Sequence, residues 1–304
     1  MFPVLFSIGN ISISSFGVFL ALGFLFGVFL VWRLSRAWDL DEEKILDLTL
    51  LTFLGGFLGA RAYFVLENFQ FFIQSPLKII IFTHFPGFSF WGGFLGGWLS
   101  LFYFTRRLRL DFWQIADIAS VGFLGGLIFS NIGCLLGGCS IGIASKLFFA
   151  VPQVGVIGKR LPISGFEALL LIFVLFIIWS RATKFHLRGK IVSLSLIYIG
   201  IVKLLMEPFK QKHDLGYVFS TVLIILGLTI LYRITKRNFL LDLKNLSLFP
   251  LNFFTDPRLR KIVIDRLNKT WYNQKTSFSW KFRNIKKIAR RLNVRFSYKN
   301  NRID

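Results

Sequence analysis

Arg61, Glu167, Lys203 and Glu207 stand in or at the edges of stretches that are otherwise almost wholly apolar, and Asn131 lies inside another. Charged groups cost roughly 2.5–3.5 kcal/mol each in hydrocarbon even on lenient insertion scales, so each is expected to meet a partner or serve a site. Lys203 and Glu207 are four residues apart, share a helix face and could simply pair. Arg61 follows Gly59 and Ala60 with no acid within a turn, so its partner must come from elsewhere. A lipid phosphate and Glu207 are the candidates. The planar guanidinium fork suits phosphate because it donates two parallel hydrogen bonds. Arg160 and His84 lie in or beside segments joining the same ends of these stretches. Together they describe a cationic, partly buried site near one membrane surface, suited to a phospholipid headgroup.

Cys134 and Cys139 are the two cysteines. On a continuous helix this spacing points them about 140° apart, which argues against a shared metal or a disulfide. They are expected to be small packing residues. No metal and no cofactor are expected.

The elements that must hold these groups are membrane spans. Hydrophobic residues make up 54% of the 304, above the soluble norm of about 45–50% even before glycine is counted. Several apolar runs approach or exceed the roughly eighteen residues that cross a bilayer. That excludes a water-soluble enzyme and a disordered scaffold. The runs predict seven helices, at roughly 14–32, 45–66, 88–105, 114–142, 163–180, 190–206 and 215–232, with 77–85 interfacial or re-entrant. The first is too long for a cleavable signal peptide and lacks a small-residue cleavage site after it. Loops after the first, third and fifth helices carry ten Lys and Arg against six on the other face. The N-terminus is therefore expected outside and the C-terminus in the cytoplasm. The fold class is an all-α polytopic membrane protein with seven transmembrane helices. Gly55 and Gly59, Gly92 and Gly96, Gly93 and Gly97, and Gly122 and Gly126 have the spacing that lets helices pack closely in lipid. Such glycines could also line clefts for lipid chains.

Charge divides the chain again. Residues 1–232 carry 18 Lys and Arg against 11 acids, a net +7, whereas residues 233–304 carry 19 against 4, a net +15. This predicts a membrane domain over 1–235 and a basic cytoplasmic tail over 236–304. Within the tail, 257–271 and 281–296 have amphipathic helical spacing, with Ile262 and Trp271 and then Ile285 and Leu292 on apolar faces flanked by Lys and Arg. Anionic lipid headgroups are the expected partner. A solvated or disordered tail and an RNA contact are the alternatives, and nucleic acid is the least favoured.

Several passages resemble one known family. They are Pro3–Gly9 with Ile11–Gly17, Gly55–Arg61, Gly87–Gly93, Asp117–Ala119, Ser130–Gly142, Arg160 with Pro162, Phe166 and Glu167, and Gly200–Lys210. In collinear order over roughly residues 3–235 they resemble the prolipoprotein diacylglyceryl transferases of bacteria. The resemblance implies seven spans in the bacterial cytoplasmic (inner) membrane. It implies transfer of a diacylglyceryl group from phosphatidylglycerol to the lipobox cysteine thiol of secreted lipoprotein precursors. It assigns catalytic work to Arg61, Lys203, Glu207 and Glu167, and substrate binding to Arg160, Asn131, Gly133, Gly138, Gly142, Trp91, Gly92 and Gly93. The departures fall on polar positions: the family's loop histidine is Trp91, its signature arginine is Asn131, and its sixth-span arginine is Lys203. With no imidazole at Trp91, Glu207, Glu167 or His84 is the candidate base, and Arg61, Arg160 and Lys203 carry the positive charge. The alternative is a catalytically impaired relative that binds phospholipid or lipoprotein precursor without transfer. A transporter is a distant third, because no paired repeats with interrupted helices are found.

Overall fold

In the computed structural model the chain divides into two compact units, Met1–Lys236 and Arg237–Asp304. The structure describes residues 4–8, 11–73, 87–153, 156–211 and 216–236 of the first unit, and 238, 257–258, 260–262, 264–265, 268–269, 271–272 and 276 of the second. The stretch 77–85, His84 and the tail segment 281–296 lie outside the described residues.

The first unit opens on a hairpin, β1 (Val4–Ile8) and β2 (Ile11–Ser14), paired antiparallel. The Ser14 hydroxyl accepts from Gly17 N and so caps α1 (Ser15–Ala37). There follow α2 (Glu42–Glu67), the short α3 (Phe69–Ile73), α4 (Phe90–Arg107) and α5 (Phe112–Gly137). Asp41 and Asp111 cap α2 and α5 by accepting from Lys44 N and Gln114 N. A second small hairpin, β3 (Val151–Pro152) and β4 (Lys159–Arg160), precedes α6 (Ile163–Ala182) and α7 (Lys190–Met206). A 3-10 turn over Glu207–Phe209 and α8 (Gly216–Thr235) complete the unit.

The protein is thus mostly helical and polytopic, with two short hairpins that the all-α expectation left out. Among the described residues, six helices are long and apolar enough to cross a membrane: α1, α2, α5, α6, α7 with the turn that follows it, and α8. α4 is less apolar, because Gly92, Gly93, Gly96, Gly97, two tryptophans and the terminal Arg106 and Arg107 dilute it. The expected fourth span, 114–142, stops short. Gly138 takes the left-handed conformation (φ 77°) and its N–H returns to Cys134 O at 2.9 Å, which ends α5 at Gly137.

Glycines set the packing. A Cβ on Gly59 would lie 2.6 Å from Gly92 O, and one on Gly96 2.8 Å from Gly59 Cα, so α2 and α4 touch backbone to backbone. The same holds where α1 meets α5, with Gly27 against Gly122 and Gly23 against Gly126. α5 is the central helix; Val121 and Leu124 have no exposed surface, and it packs against α1, α6 and α7. Near its start the fully buried Asp117 accepts from Gly189 N (2.6 Å) and Val192 N (2.7 Å), capping α7 from a different helix. The second unit's described residues over 257–276 are helical, and Ile262 and Trp271 are exposed.

Candidate active site

The far end of α5, the start of α6 and the end of α7 bring four charged side chains together. Glu167, on the second turn of α6, is buried; its Oε2 lies 3.5 Å from Lys203 Nζ and its Oε1 3.7 Å from Lys210 Nζ. Lys210 also holds Glu207 Oε2 at 2.7 Å. The order Lys203–Glu167–Lys210–Glu207 alternates sign and balances charge within a nearly buried group. Lys203 Nζ further sits 4.7 Å from the centre of the Phe90 ring, a cation–π contact.

Expectation and structure part over Glu207. It does not serve as the side-chain partner of Lys203, although its N–H still closes the last helical turn on Lys203 O; it opens the 3-10 turn that holds Pro208. The turn directs its carboxylate to Lys210, three residues on. Lys203 turns instead to Glu167, on the neighbouring helix.

Backbone pairing fixes Lys210. Ile143 N donates to Phe209 O and Gln211 N to Ile141 O, both at 2.9 Å, so the segment after α5 runs antiparallel to the segment after α7. Arg160 Nη1 clamps this joint, donating to Gly142 O (3.1 Å) and Gln211 Oε1 (2.8 Å). Buried Gln153 closes it from the other side, accepting from Gly142 N and donating to Leu161 O. Ser140 and Ser164 hydroxyls meet at 2.6 Å one helical turn before Glu167. An apolar cavity of about 230 Å³ adjoins the charges, lined by Leu147, Phe149, Leu161, Ile163, Phe166, Met206 and Phe209.

Arg61 occupies a different wall. It is 5% exposed, donates from Nη1 to Gly87 O (3.0 Å), and its guanidinium lies 5.6 Å and 5.4 Å from the Phe64 and Phe72 ring centres. Ser89 N donates to Ala60 O at 3.0 Å. The entry to α4, Gly87–Phe90, therefore touches Arg61 at one end and Lys203 at the other.

The first unit matches the family model for prolipoprotein diacylglyceryl transferase over residues 3–233. The chain belongs to the prolipoprotein diacylglyceryl transferase family. A relative from Aeromonas hydrophila, named phosphatidylglycerol–prolipoprotein diacylglyceryl transferase, is 28% identical over 77% of this chain and 91% of its own length. One of the same name from Desulfotalea psychrophila is 30% identical over 75% of this chain and 91% of its own. A third, from Deinococcus radiodurans, is 37% identical over 45% of this chain and 42% of its own length.

In this transferase family member the departures from the family pattern have structural occupations. Trp91 stacks on Phe219 with ring centres 4.1 Å apart and planes at 21°. Asn131 turns its amide back to Leu127 O at 2.9 Å, within its own helix. Gly92 and Gly93 lie in the seam of α2 and α4, Gly133 packs on Phe16 and Phe19 of α1, and Gly138 caps α5. Gly142 is the point that Arg160 and Gln153 grip. Sequence reasoning missed Lys210, although its place three residues after Glu207 was a usable signal. It also missed Gln153 and Gln211, which carry no local pattern. The angle between the cysteines assumed a helix continuing past Gly137; Gly138 instead reverses the chain, Cys139 N donates to Cys134 O at 3.1 Å, and both thiols are free, Cys139 exposed rather than packed.

Proposed function

We propose that this chain, embedded in the inner membrane of a bacterium, transfers the diacylglyceryl group of phosphatidylglycerol to the lipobox cysteine thiol of secreted lipoprotein precursors. The observation that carries the proposal is the buried Lys203–Glu167–Lys210–Glu207 group, built by segments that match the transferase family. The substrate thiol gives up its proton and its sulfur attacks the glycerol carbon. The carbon–oxygen bond to phosphate breaks, and glycerol phosphate leaves with the electron pair. Glu167 or Glu207 takes the proton, while Lys203 and Lys210 offer fixed positive charge to the leaving phosphate in a water-poor setting, where such preorganisation is strongest. Arg61 and Arg160 are further phosphate donors, and the apolar cavity gives the site a lipid-compatible wall.

The proposed topology has seven spans, with α4 crossing beside α2, the N-terminus and the site outside, and the C-terminus in the cytoplasm. The ten-against-six distribution of basic loop residues supports it. Exposed Ile262 and Trp271 beside Arg258, Arg260 and Lys261 support a tail lying on anionic lipid.

Two experiments test this reading. Transfer to a lipobox peptide from phosphatidylglycerol vesicles is expected of the parent and is expected to fall at least about 100-fold in Glu167→Gln, the size of one lost preorganised contact. Trp91 and Asn131, both turned to internal contacts, favour a second reading as a binding protein. A parent that retains the phospholipid but transfers nothing would establish that reading instead. For topology, cysteines placed at Ile157 and Lys236 in a Cys134→Ser, Cys139→Ser background are read with an impermeant thiol label in intact cells. Ile157 is fully exposed. Labelling at 236 and not at 157 inverts the arrangement.

A further inference from the structure

Cys134 lies in the last turn of α5 and Cys139 directly follows the left-handed Gly138. Gly138 N and Cys139 N both donate to Cys134 O, at 2.9 Å and 3.1 Å. This way of ending a helix folds the residue beyond the cap back onto the last turn. Cys139 Sγ accordingly lies over that turn, 4.0 Å from where a Cβ on Gly137 would stand. Both thiols are free; Cys134 is half-buried and Cys139 is exposed. A disulfide needs Cα atoms roughly 4.4–6.8 Å apart, a separation compatible with two backbones already joined by an N–H···O bond.

We propose that Cys134 and Cys139 form a dithiol modification site that closes to an internal disulfide by exchange with a disulfide oxidant. The thiolate of exposed Cys139 attacks one sulfur of the oxidant and releases the other half as a thiolate. That thiolate takes the Cys134 proton, and the Cys134 sulfur attacks Cys139, expelling the second half, which is protonated as it leaves. The pair loses two electrons and two protons, and one oxidant disulfide becomes two thiols. Cys139 is the entry sulfur on two grounds. It is the accessible one, and the neighbouring Cys134 thiol holds it below the usual thiol range. Because the Cys139 backbone is already bonded to that of Cys134, the closing step is intramolecular and outruns capture of a second oxidant molecule.

The position gives the modification a consequence. Ser140, the residue after Cys139, meets the hydroxyl of Ser164 at 2.6 Å, and Ser164 stands one turn before Glu167. Oxidation therefore acts on the base of the helix that carries the buried acid.

The test uses the full chain, reduced and purified in mild detergent, then exposed to oxidised glutathione, quenched with an alkylating reagent and weighed intact. The parent is expected to lose two hydrogens, take up no alkyl group and carry no glutathione; dithiothreitol restores both alkylation sites. Cys134→Ser is expected to keep glutathione on Cys139. A parent that remains doubly alkylated, or that retains glutathione, overturns the proposal. Should the variant fail to fold, phenylarsine oxide, which bridges adjacent thiols, decides on the parent alone. One-to-one protection of both cysteines from alkylation supports the site; no protection overturns it.

Discussion

The two ends of α5 both bury a carboxylate, and they treat it differently. Near the start, Asp117 is satisfied by backbone: Gly189 N and Val192 N lie within 2.7 Å, with His186 Nε2 at 3.6 Å. Beyond its far end, Glu167 is held by two lysine side chains at 3.5 Å and 3.7 Å. Backbone donors at a helix start cannot swing to another acceptor without unwinding the helix. Lysine ammonium groups on flexible stems, each with three donors, can take a new anion while keeping part of the old contact. A buried charge fixed by backbone is structural, and one shared among long side chains at loose distances is available to a substrate. The contrast separates α7's foundation from the proposed transfer site.

The largest expected effect tests the available end. Lys203→Met keeps an apolar stem under Phe90 and removes the charge. Diacylglyceryl transfer should fall about 100- to 1000-fold, the roughly 2.7–4 kcal/mol that a lost preorganised contact costs. Unfolding in detergent should change little, because Lys210 remains on Glu167. Near-parental transfer by this variant would make the two ends alike.

Asp117→Ala tests the structural end. It leaves two buried N–H groups without their acceptor, a loss of about 2–3 kcal/mol of stability. It should lower the unfolding temperature in detergent while transfer per folded molecule stays at the parental level. A stable variant that has lost transfer would reverse the assignment of the two ends.

The same contrast governs what the sequence made legible. Apolar runs announced the helices, since hydrocarbon length is a local property of the chain. Gly55, Gly59, Gly92 and Gly96 announced one close seam, and Gly23 and Gly27, four apart like them but not singled out, form the other against Gly126 and Gly122. Asp117 stood out only through the family resemblance of Asp117–Ala119, and its partners at Gly189 and Val192 are remote in sequence and unmarked. At the site, the acids and Lys203 stood out against apolar neighbours. Their pairing did not, because Glu167 reaches Lys203 from another helix and the 3-10 turn after α7 brings Lys210 onto Glu207. The angle between Cys134 and Cys139 likewise assumed a helix that Gly138 ends.

The smallest expected effect sharpens the comparison most. Lys203→Arg keeps the charge and exchanges a point donor for a planar fork that grips phosphate with two parallel bonds. It also keeps a cation over Phe90, with which a guanidinium stacks well. If Lys203 serves the substrate, transfer should hold within about threefold of the parent, with any change falling on KM for phosphatidylglycerol, because the added bond forms before the chemical step and persists through it. If Lys203 serves only to neutralise Glu167, the bulkier fork disturbs the carboxylate, and Arg should cost nearly as much as Met. Measuring kcat and KM for parent, Lys203→Met and Lys203→Arg in the same vesicles separates these outcomes. Parity of Arg with the parent marks Glu167's end of α5 as a place where charge is lent to a ligand; parity of Arg with Met makes it a second foundation, like Asp117.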